Sequence, residues 1–474
     1  MSLEQIVNHY ILYVSDVLKS IFYYNILEPF GVTDVQFPVL IFFIMFTAFF
    51  LLIKFRFMNF KYFFYGLKSM FGAADISASH DKQNVNKIAS IRAVFTAIAG
   101  AAGLGSIAGV ALAIAIGGPG AVVWIILMPF FCMPIRFAEV FLAHKHRVVS
   151  GDGYDGGPQY YMKQGLKDIG WKKTGIILSG IYSICLVCAG FSGPCAFQVN
   201  QSISVLSHNF AALGDFKISM TLAFCAVAAM VLLGGIRRVA GLLSNVVPVV
   251  IAIYFGSAMV VIAFNYHNIP TALHDIFTMA FSLKSAYGGI LGAFIMGATR
   301  AIIASEIAMG TASIVHANVI NKSSIKEGLT AMSAPIIEIL FISSITGLLV
   351  TVTGVYQTSS MGAVDVYRAF GTVSSWFPYI VICIIPVMGL NVMIAWGFFG
   401  ERITACYFGK MAGKTFIILY ILAGFAGGMI SNVDVMLAFL DTLTVSMIFP
   451  NLLVLLLLSG IIWKDFRSFD PKKI

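Results

Sequence analysis

Long apolar windows separated by short polar stretches dominate the chain. Eleven windows are long enough, at about 20 residues per crossing, to traverse a lipid bilayer as helices. They cover residues 37–54, 94–117, 121–143, 174–206, 218–234, 242–264, 286–318, 329–353, 376–399, 415–431 and 435–463. Residues 5–27 instead mix apolar and polar side chains at helical spacing, which predicts an amphipathic helix in the membrane interface. The pattern therefore predicts an all-α polytopic membrane protein with eleven transmembrane helices and an interfacial segment at residues 1–35.

Basic residues predict the orientation of these crossings. Of the 30 Lys and Arg residues, 24 lie in alternate connections, which are residues 54–92, 144–173, 235–241, 319–328, 400–414 and 464–474. Cytoplasmic loops carry the excess of Lys and Arg. The N-terminus is therefore predicted outside and the C-terminus in the cytoplasm, and the short loops favour a bacterial inner membrane.

The composition excludes several classes of protein. Hydrophobic residues make up 59% and charged residues 11% of the chain, whereas soluble domains carry about 25% charged residues. This rules out a cytosolic enzyme, a nucleic-acid binder and a disordered chain, and makes the lipid bilayer the expected surrounding. The net charge of +9 reflects the orientation of the loops.

Two of the windows contain glycine clusters. The second holds four glycines within residues 99–109 and ends in Gly117-Gly118-Pro119-Gly120, and the seventh has glycines over 288–297 followed by residues 305–313. The two windows lie five crossings apart and run in opposite directions. They therefore predict an inverted repeat in which an interrupted helix opens each half. Small residues that only permit close helix packing are the alternative.

Interrupted helices predict a kind of ligand. Unwound N–H groups and a half-helix N-terminus attract an anion such as a carboxylate, and freed carbonyls attract a cation. A site of this kind suits a zwitterion with a small cation beside it. The pattern therefore favours a secondary transporter of amino acids.

Several blocks of sequence resemble one known family. They are Gly105–Ala111 with Ala115–Ala121 and Trp124, Gly156–Tyr161, Ser305-Glu306 through His316-Ala317, Trp396 with Gly400–Arg402, and Pro450–Leu452 with Leu458–Gly460. Together they resemble the alanine or glycine:cation symporters, also called sodium:alanine symporters. The resemblance runs in unbroken order from about residue 37 to residue 463.

The resemblance implies a leucine-transporter-type fold with two inverted five-helix repeats and one extra N-terminal crossing. The first repeat would cover residues 94–264 and the second residues 265–463. Residues 36–93 would hold the extra helix and a basic cytoplasmic segment, and residues 464–474 a cytoplasmic tail. The implied activity is import of a small neutral amino acid, alanine or glycine, with Na⁺, without catalytic residues or an organic cofactor.

The matched motifs and the positions of the interruptions give the candidate site residues. Those for substrate binding are Ala102, Gly103, Leu104, Gly105, Phe197, Gln198, Ala308, Met309, Gly310 and Trp396. Those for cation binding are Ala101, Ser106 and Asn391. Glu306 and Arg300 are candidates for a gating or structural charge, with Glu306 either a gate or a carboxylate that holds unwound backbone together.

The chain departs from the family where the cation is expected. Gly103-Leu104-Gly105-Ser106 stands where Gly-Thr-Gly-Asn is usual, Asn391-Val392 where Ser-Thr is usual, and Ser305 where asparagine is usual. Because a hard cation needs several oxygen ligands, a carrier coupled to H⁺ stays an alternative to one coupled to Na⁺.

The remaining intramembrane charges have local alternatives. Arg136 and Glu139, three residues apart, are predicted to pair with each other. Glu338 and Asp441 either relay a proton or bind loop backbone, and His316 is predicted to be a helix-end group. A membrane enzyme would need convergent catalytic groups, and a channel symmetric pore loops, neither of which the sequence indicates.

Overall fold

The computed structural model of the protein describes residues 17, 20–31, 37–72, 88–150, 153–209, 216–282, 289–321, 323–357, 362–430 and 444–469. Most of the predicted interfacial segment at residues 1–35, and the carboxylate of Asp441, lie outside these ranges. The first helices are α1 (Val39–Lys54), α2 (Met58–Met70), α3 (Ser90–Ala101), α4 (Leu104–Gly117) and α5 (Ala121–Lys145). A small antiparallel hairpin, β1 (Val148–Ser150) and β2 (Gly153–Asp155), follows α5.

Helices also form nearly all of the remaining described chain. The middle of the chain forms α6 (Pro158–Asp168), α7 (Lys172–Phe191), α8 (Gln198–Asn209), α9 (Lys217–Leu232), α10 (Gly235–Phe264) and α11 (Ile269–Phe281). The last part forms α12 (Gly289–Ser305), α13 (Thr311–His316), α14 (Ser324–Ala331), α15 (Ala334–Glu338), α16 (Ser344–Thr353), α17 (Ala363–Gly371), α18 (Tyr379–Met429) and α19 (Ile448–Phe466). Within α18, Gly409 has a non-helical φ of 85°, so two helical segments meet there.

The helices are apolar enough to make this a membrane protein. Six described helices are long and apolar enough to cross a bilayer, and eight spans result if each of two bent helix pairs counts as one. The bent pairs are α1 with α2, at 84°, and α3 with α4, at 47°. The polytopic all-α fold is thus established, while the number of eleven crossings stays a prediction.

Both glycine-rich windows are interrupted, which confirms that part of the sequence prediction. The first divides into α3 and α4 at Ala102 and Gly103. The second divides into α12 and α13, with residues 306–310 between them. The two interrupted helices pack against each other and against α5, α10 and α18. The inverted relation between the two halves stays a prediction.

Prolines modify two other crossings. A wide π-helical turn, Ser192–Phe197, joins α7 to α8, and Pro194 within it lacks the N–H of a regular helix. In α5, Pro134 likewise frees the carbonyl of Phe130 one turn earlier. The side chain of Asn59 on α2 donates a 2.7 Å hydrogen bond to that carbonyl. Asn59 thereby fixes α2 against the membrane-spanning helices.

Candidate functional site

The first interruption leaves two backbone donors free. The N–H of Gly103 turns back onto the carbonyl of Ala101 at 2.8 Å. Because α4 begins at Leu104, the N–H groups of its first turn have no helical acceptor. Those of Leu104 and Gly105 donate no hydrogen bond to any described residue. The positive end of the α4 dipole is therefore open to an anion at this point.

The second interruption contains unusual backbone angles. Glu306 and Ala308 have φ values of 50° and 71°, and Gly310 has a φ of 77°. For residues other than glycine, such angles cost about 1–3 kcal/mol each and persist only where surrounding contacts hold them. The surrounding contacts are provided mainly by α5, α7 and α19.

Two charged side chains of α5 bind both edges of the second interruption. Arg136 donates from Nη2 to the carbonyl of Ser305 at 2.7 Å. Glu139 accepts from the N–H of Gly310 at 3.0 Å and from the amide of Asn451 at 2.7 Å. Arg136 and Glu139 also form an ion pair at 3.6 Å, both buried. Their pairing confirms the sequence prediction, and their contacts with the backbone add a role that it missed.

Two further carbonyls of the second interruption are also satisfied by side chains. Asn451 on α19 donates to the carbonyl of Ala308 at 2.8 Å, and its own Oδ1 accepts from the hydroxyl of Tyr161. Tyr182 on α7 donates to the carbonyl of Met309 at 2.7 Å. These hydrogen bonds can all form only in one backbone conformation of residues 306–310, and they therefore stabilise that conformation.

A chamber of about 690 Å³ lies between the two interruptions. It extends along α4 as far as Leu112 and reaches Gly362 next to α17. A volume of this size is typical of small-molecule sites. The space exceeds what one small amino acid occupies, so it comprises a pocket at the interruptions and a path leading to it.

Ten of the fifteen predicted site residues line this chamber. They are Ala101, Gly103, Leu104, Gly105, Phe197, Gln198, Arg300, Glu306, Met309 and Trp396. The other five, which are Ala102, Ser106, Ala308, Gly310 and Asn391, do not line it. For Ala308 and Gly310 the reason is visible, because Asn451 and Glu139 bind their backbone groups.

Glu306 joins three helices at the chamber wall. Its carboxylate accepts from the indole N–H of Trp396 at 2.5 Å and from the hydroxyl of Thr311 at 2.6 Å. A Cβ at Gly100 would lie 3.3 Å from both carboxylate oxygens. Glu306 therefore links α18 to the start of α13 through side-chain hydrogen bonds, and it also faces the chamber.

Arg300 supplies the positive charge of the described wall. Its side chain packs along Gly109 of α4, where a Cβ would lie 3.6 Å from both Cδ and Nη1. The Nε is buried and has no hydrogen-bond partner among the described residues. Arg300 lies six residues, or about 1.7 turns, before Glu306 in the same broken helix, so the two charges are at different depths of the chamber.

Gly103, Gln198 and Val392 form the tightest part of the wall. A Cβ at Gly103 would lie 2.5 Å from Cγ2 of Val392 and 3.5 Å from Oε1 of Gln198. That Oε1 is buried and accepts no hydrogen bond from the described residues. An amide in this position requires a partner, and a ligand in the chamber would supply one.

Of the three predicted cation ligands, Ala101 lines the chamber, whereas Ser106 and Asn391 do not. Ser106 is fully buried and donates to the carbonyl of Ala101 at 3.4 Å. Its hydroxyl also lies beside the carboxylate of Glu338, which accepts from Ser343 at 2.9 Å. Glu338 is 1% exposed and precedes a second π-helical turn, Ile339–Ser343. Asn391 is buried on α18.

Sequence reasoning missed several residues of the wall. Gln201 and Ser204 follow Gln198 at three and six residues and line the chamber with it, a helical spacing that could have indicated them. Ala363 and Val364 also line it. They lie in a connection between crossings, where no pattern distinguished them.

The sodium:alanine symporter family profile matches residues 23–474. The chain belongs to this family. It is therefore an integral membrane transporter and not an enzyme, and its motif blocks can be read as parts of one transport site. The blocks around Tyr161, Glu306 and Asn451, distant in sequence, meet at the second interruption.

Individual relatives agree with the family assignment. The chain is 29% identical over 439 residues to the sodium/alanine symporter AgcS of Methanococcus maripaludis, covering 91% of this chain and 94% of that protein. It is 30% identical over 274 residues to the putative sodium/proton-dependent alanine carrier protein YrbD of Bacillus subtilis, covering 58% of this chain and 54% of that protein. The structure of MhsT in complex with L-phenylalanine matches with a TM-score of 0.52 and 14% identity, over 78% of this chain and 97% of that one. This match identifies the leucine-transporter-type fold.

Proposed function

We propose that the protein imports alanine or glycine together with Na⁺ by alternating access. The observation that carries the proposal is the chamber between two interrupted helices, with the free N–H groups of Leu104 and Gly105 at its wall. The proposal includes two inverted repeats at residues 94–264 and 265–463. It also places the N-terminus outside and the C-terminus in the cytoplasm of a bacterial inner membrane.

The substrate carboxylate would bind at the first interruption. Donors at the N-terminus of a helix bind anions without further charge, and α4 offers Leu104 and Gly105 there. The buried Oε1 of Gln198 is an acceptor for the substrate ammonium group. Phe197 and Trp396 line the wall beside these groups, and their bulk favours a substrate with a small side chain.

The cation would bind behind the substrate, next to Ser106. The carbonyl of Ala101, the Ser106 hydroxyl and the Glu338 carboxylate provide oxygen ligands of the kind that hard cations prefer, and Asn391 is the candidate from α18. A bound cation would also compensate the buried charge of Glu338, whose described partners are hydroxyl groups. Uncompensated, such a charge would be expensive within the membrane.

Coupling to H⁺ is the alternative, and one observation favours it. Leu104 and Val392, which line the chamber, place apolar side chains where oxygen ligands for Na⁺ are expected from the family. In that case one carboxylate that binds and releases a proton would take the place of a Na⁺ site with several oxygen ligands.

Uptake into liposomes that contain the purified protein tests both forms of the proposal. With an inward Na⁺ gradient, we expect radiolabelled alanine and glycine to accumulate and leucine to compete poorly. Accumulation driven by a pH gradient without Na⁺ would favour the proton alternative, and better competition by leucine would refute the small substrate. Equilibration without accumulation under either gradient would refute secondary transport. A suitable control is Gly256→Ala, since a Cβ at Gly256 meets nothing within 4 Å.

A further inference from the structure

A buried polar cluster joins the ends of both interrupted helices that lie away from the chamber. Glu327 on α14 accepts from Ser90, the first residue of α3, at 2.7 Å. Its other oxygen contacts Nδ1 of His316, the last residue of α13, at 2.5 Å. Asn321 donates to the same carboxylate at 3.5 Å. We refer to Ser90, His316, Asn321 and Glu327 as the lock.

The backbone around the lock is paired as well. Ile88 accepts from the N–H of Ile320 at 3.1 Å and donates to Asn318 at 3.2 Å, which makes a short parallel bridge between the segments before α3 and after α13. Arg147 donates to the carbonyls of Val319 and Asn321 at 2.7 and 3.1 Å. Arg147, two residues after the end of α5, therefore holds the segment that follows α13. The Ile88 bridge joins the residues before α3 to the same segment.

Burial makes the lock energetically sensitive. Glu327 and His316 are fully buried, and Ser90 is 1% exposed. A buried carboxylate is tolerated when several donors satisfy it, and a partly satisfied one is costly. Two arrangements are therefore favoured. In one, all members of the lock are in contact, and in the other the lock is open and water reaches Glu327; arrangements in which Glu327 stays buried with few donors are disfavoured.

The lock and the chamber lie at opposite ends of the same helices. From Ser90 to the interruption at Gly103, α3 spans about 18 Å at 1.5 Å per residue. The chamber continues from the interruption in the other direction, towards Leu112. Glu327 therefore joins Ser90 and His316 at the ends of α3 and α13 that lie away from the chamber.

We propose that this lock is the inner gate of the carrier and that Glu327 is its positioning residue. The inference rests on the proposed transport function, which places these residues on the cytoplasmic side. In the outward-facing state, Glu327 holds the cytoplasmic ends of α3 and α13 together. Opening to the cytoplasm moves Ser90 away, breaks the Ile88 bridge and admits water to the carboxylate.

Hydrogen–deuterium exchange of the full chain in lipid nanodiscs tests the lock without requiring transport. Glu327→Leu preserves volume but removes the acceptor for Ser90 and His316. Because a hydrogen bond to a charged group contributes enough to shift an equilibrium roughly ten- to a hundredfold, exchange in residues 88–101 and 311–321 should accelerate by at least about tenfold. Exchange in α1 and α10 should be unchanged. Unchanged exchange in residues 88–101 would overturn the proposal, as would equal acceleration in every helix.

Further variants separate a gate from a general loss of stability. Glu327→Gln retains an acceptor for Ser90 and should give an intermediate acceleration, and Ser90→Ala should act on residues 88–101 even if the Glu327 variants do not fold. Asp465→Asn is the matched control, because Asp465 pairs with Lys145 and with neither interrupted helix in the described contacts. Acceleration by Asp465→Asn at residues 88–101 would contradict a specific lock.

Uptake measurements keep the two proposals distinguishable. If wild-type protein transports, Glu327→Leu should weaken the apparent affinity for external alanine by at least about tenfold, because the outward-facing state is less populated. An unchanged affinity would overturn the gating role. If wild-type protein does not accumulate any amino acid, the proposed function fails, while the exchange experiment still decides whether the lock holds α3 and α13 together.

Discussion

Adding one methyl group at Gly103 should block the substrate site without unfolding the protein. Gly103 has φ −110° and ψ −154°, extended angles that alanine adopts without strain. The new Cβ would lie 2.5 Å from Cγ2 of Val392, about 1 Å closer than an ordinary contact between carbon atoms. Overpacking of this kind costs about 1–3 kcal/mol. If it is relieved by moving Gly103 or Val392 into the chamber, and substrate binding must reverse that movement, the same cost corresponds to roughly 5- to 150-fold in affinity.

Truncation of the opposing side chain provides the internal test. Val392→Ala removes the methyl group that Gly103→Ala would meet, so the double variant should regain most of the lost affinity. Binding of radiolabelled alanine to purified protein measures all three variants, with thermal unfolding as a check on folding. Wild-type affinity in Gly103→Ala would refute the placement of the substrate at the first interruption. A double variant no better than Gly103→Ala would refute the steric explanation.

Three further changes test other parts of the site. Glu306→Gln keeps an acceptor for Trp396 but removes the negative charge. Because intramembrane carboxylates are usually functional, we expect the transport rate to fall at least about tenfold while the melting temperature stays unchanged. That result would indicate a role of the charge. Near-normal transport would leave Glu306 only a structural role in holding the interrupted helix together. Gly310→Ala should lower the free energy of unfolding by about 1–3 kcal/mol, because φ is 77° and the Cβ would lie 2.6 Å from Cγ of Pro158; an unchanged melting temperature would contradict this. Glu338→Gln should raise the half-saturating Na⁺ concentration about tenfold, and an unaltered Na⁺ dependence would exclude Glu338 from the cation site.

The sequence predicts the first interruption well and the second only approximately. At the first, Gly103 coincides with the break between α3 and α4, and Gly105 lies in the first turn of α4. In the second window, Gly297 lies inside an unbroken part of α12, where a Cβ would lie 2.7 Å from that of Trp124. Gly297 therefore serves close packing, which was the alternative reading of these clusters. The break itself falls at Glu306 and Ala308, whose positive φ angles no residue preference indicates.

Other parts of the site depend on contacts between distant segments. The role of Asn451 follows from its meeting with Ala308 and Tyr161, which neither charge nor spacing reveals. The resemblance marked these positions as motifs without explaining them. In contrast, Phe197 and Gln198, which the sequence offers as substrate-binding candidates, line the chamber, although the π-helical turn over Ser192–Phe197 was not expected.

The two interruptions differ in what satisfies their backbone, and this difference indicates which part of the carrier moves. At the second interruption, side chains of Arg136, Glu139 and Asn451 already bind the unwound backbone. At the first, donors face the chamber unpaired, so ligand binding can change the stability of α3 and α4 far more than that of α12 and α13. Since α3 is held at its other end through Ser90, we expect ligand binding and the Ser90–Glu327 contact together to determine the position of α3, with the second interruption as the more fixed support.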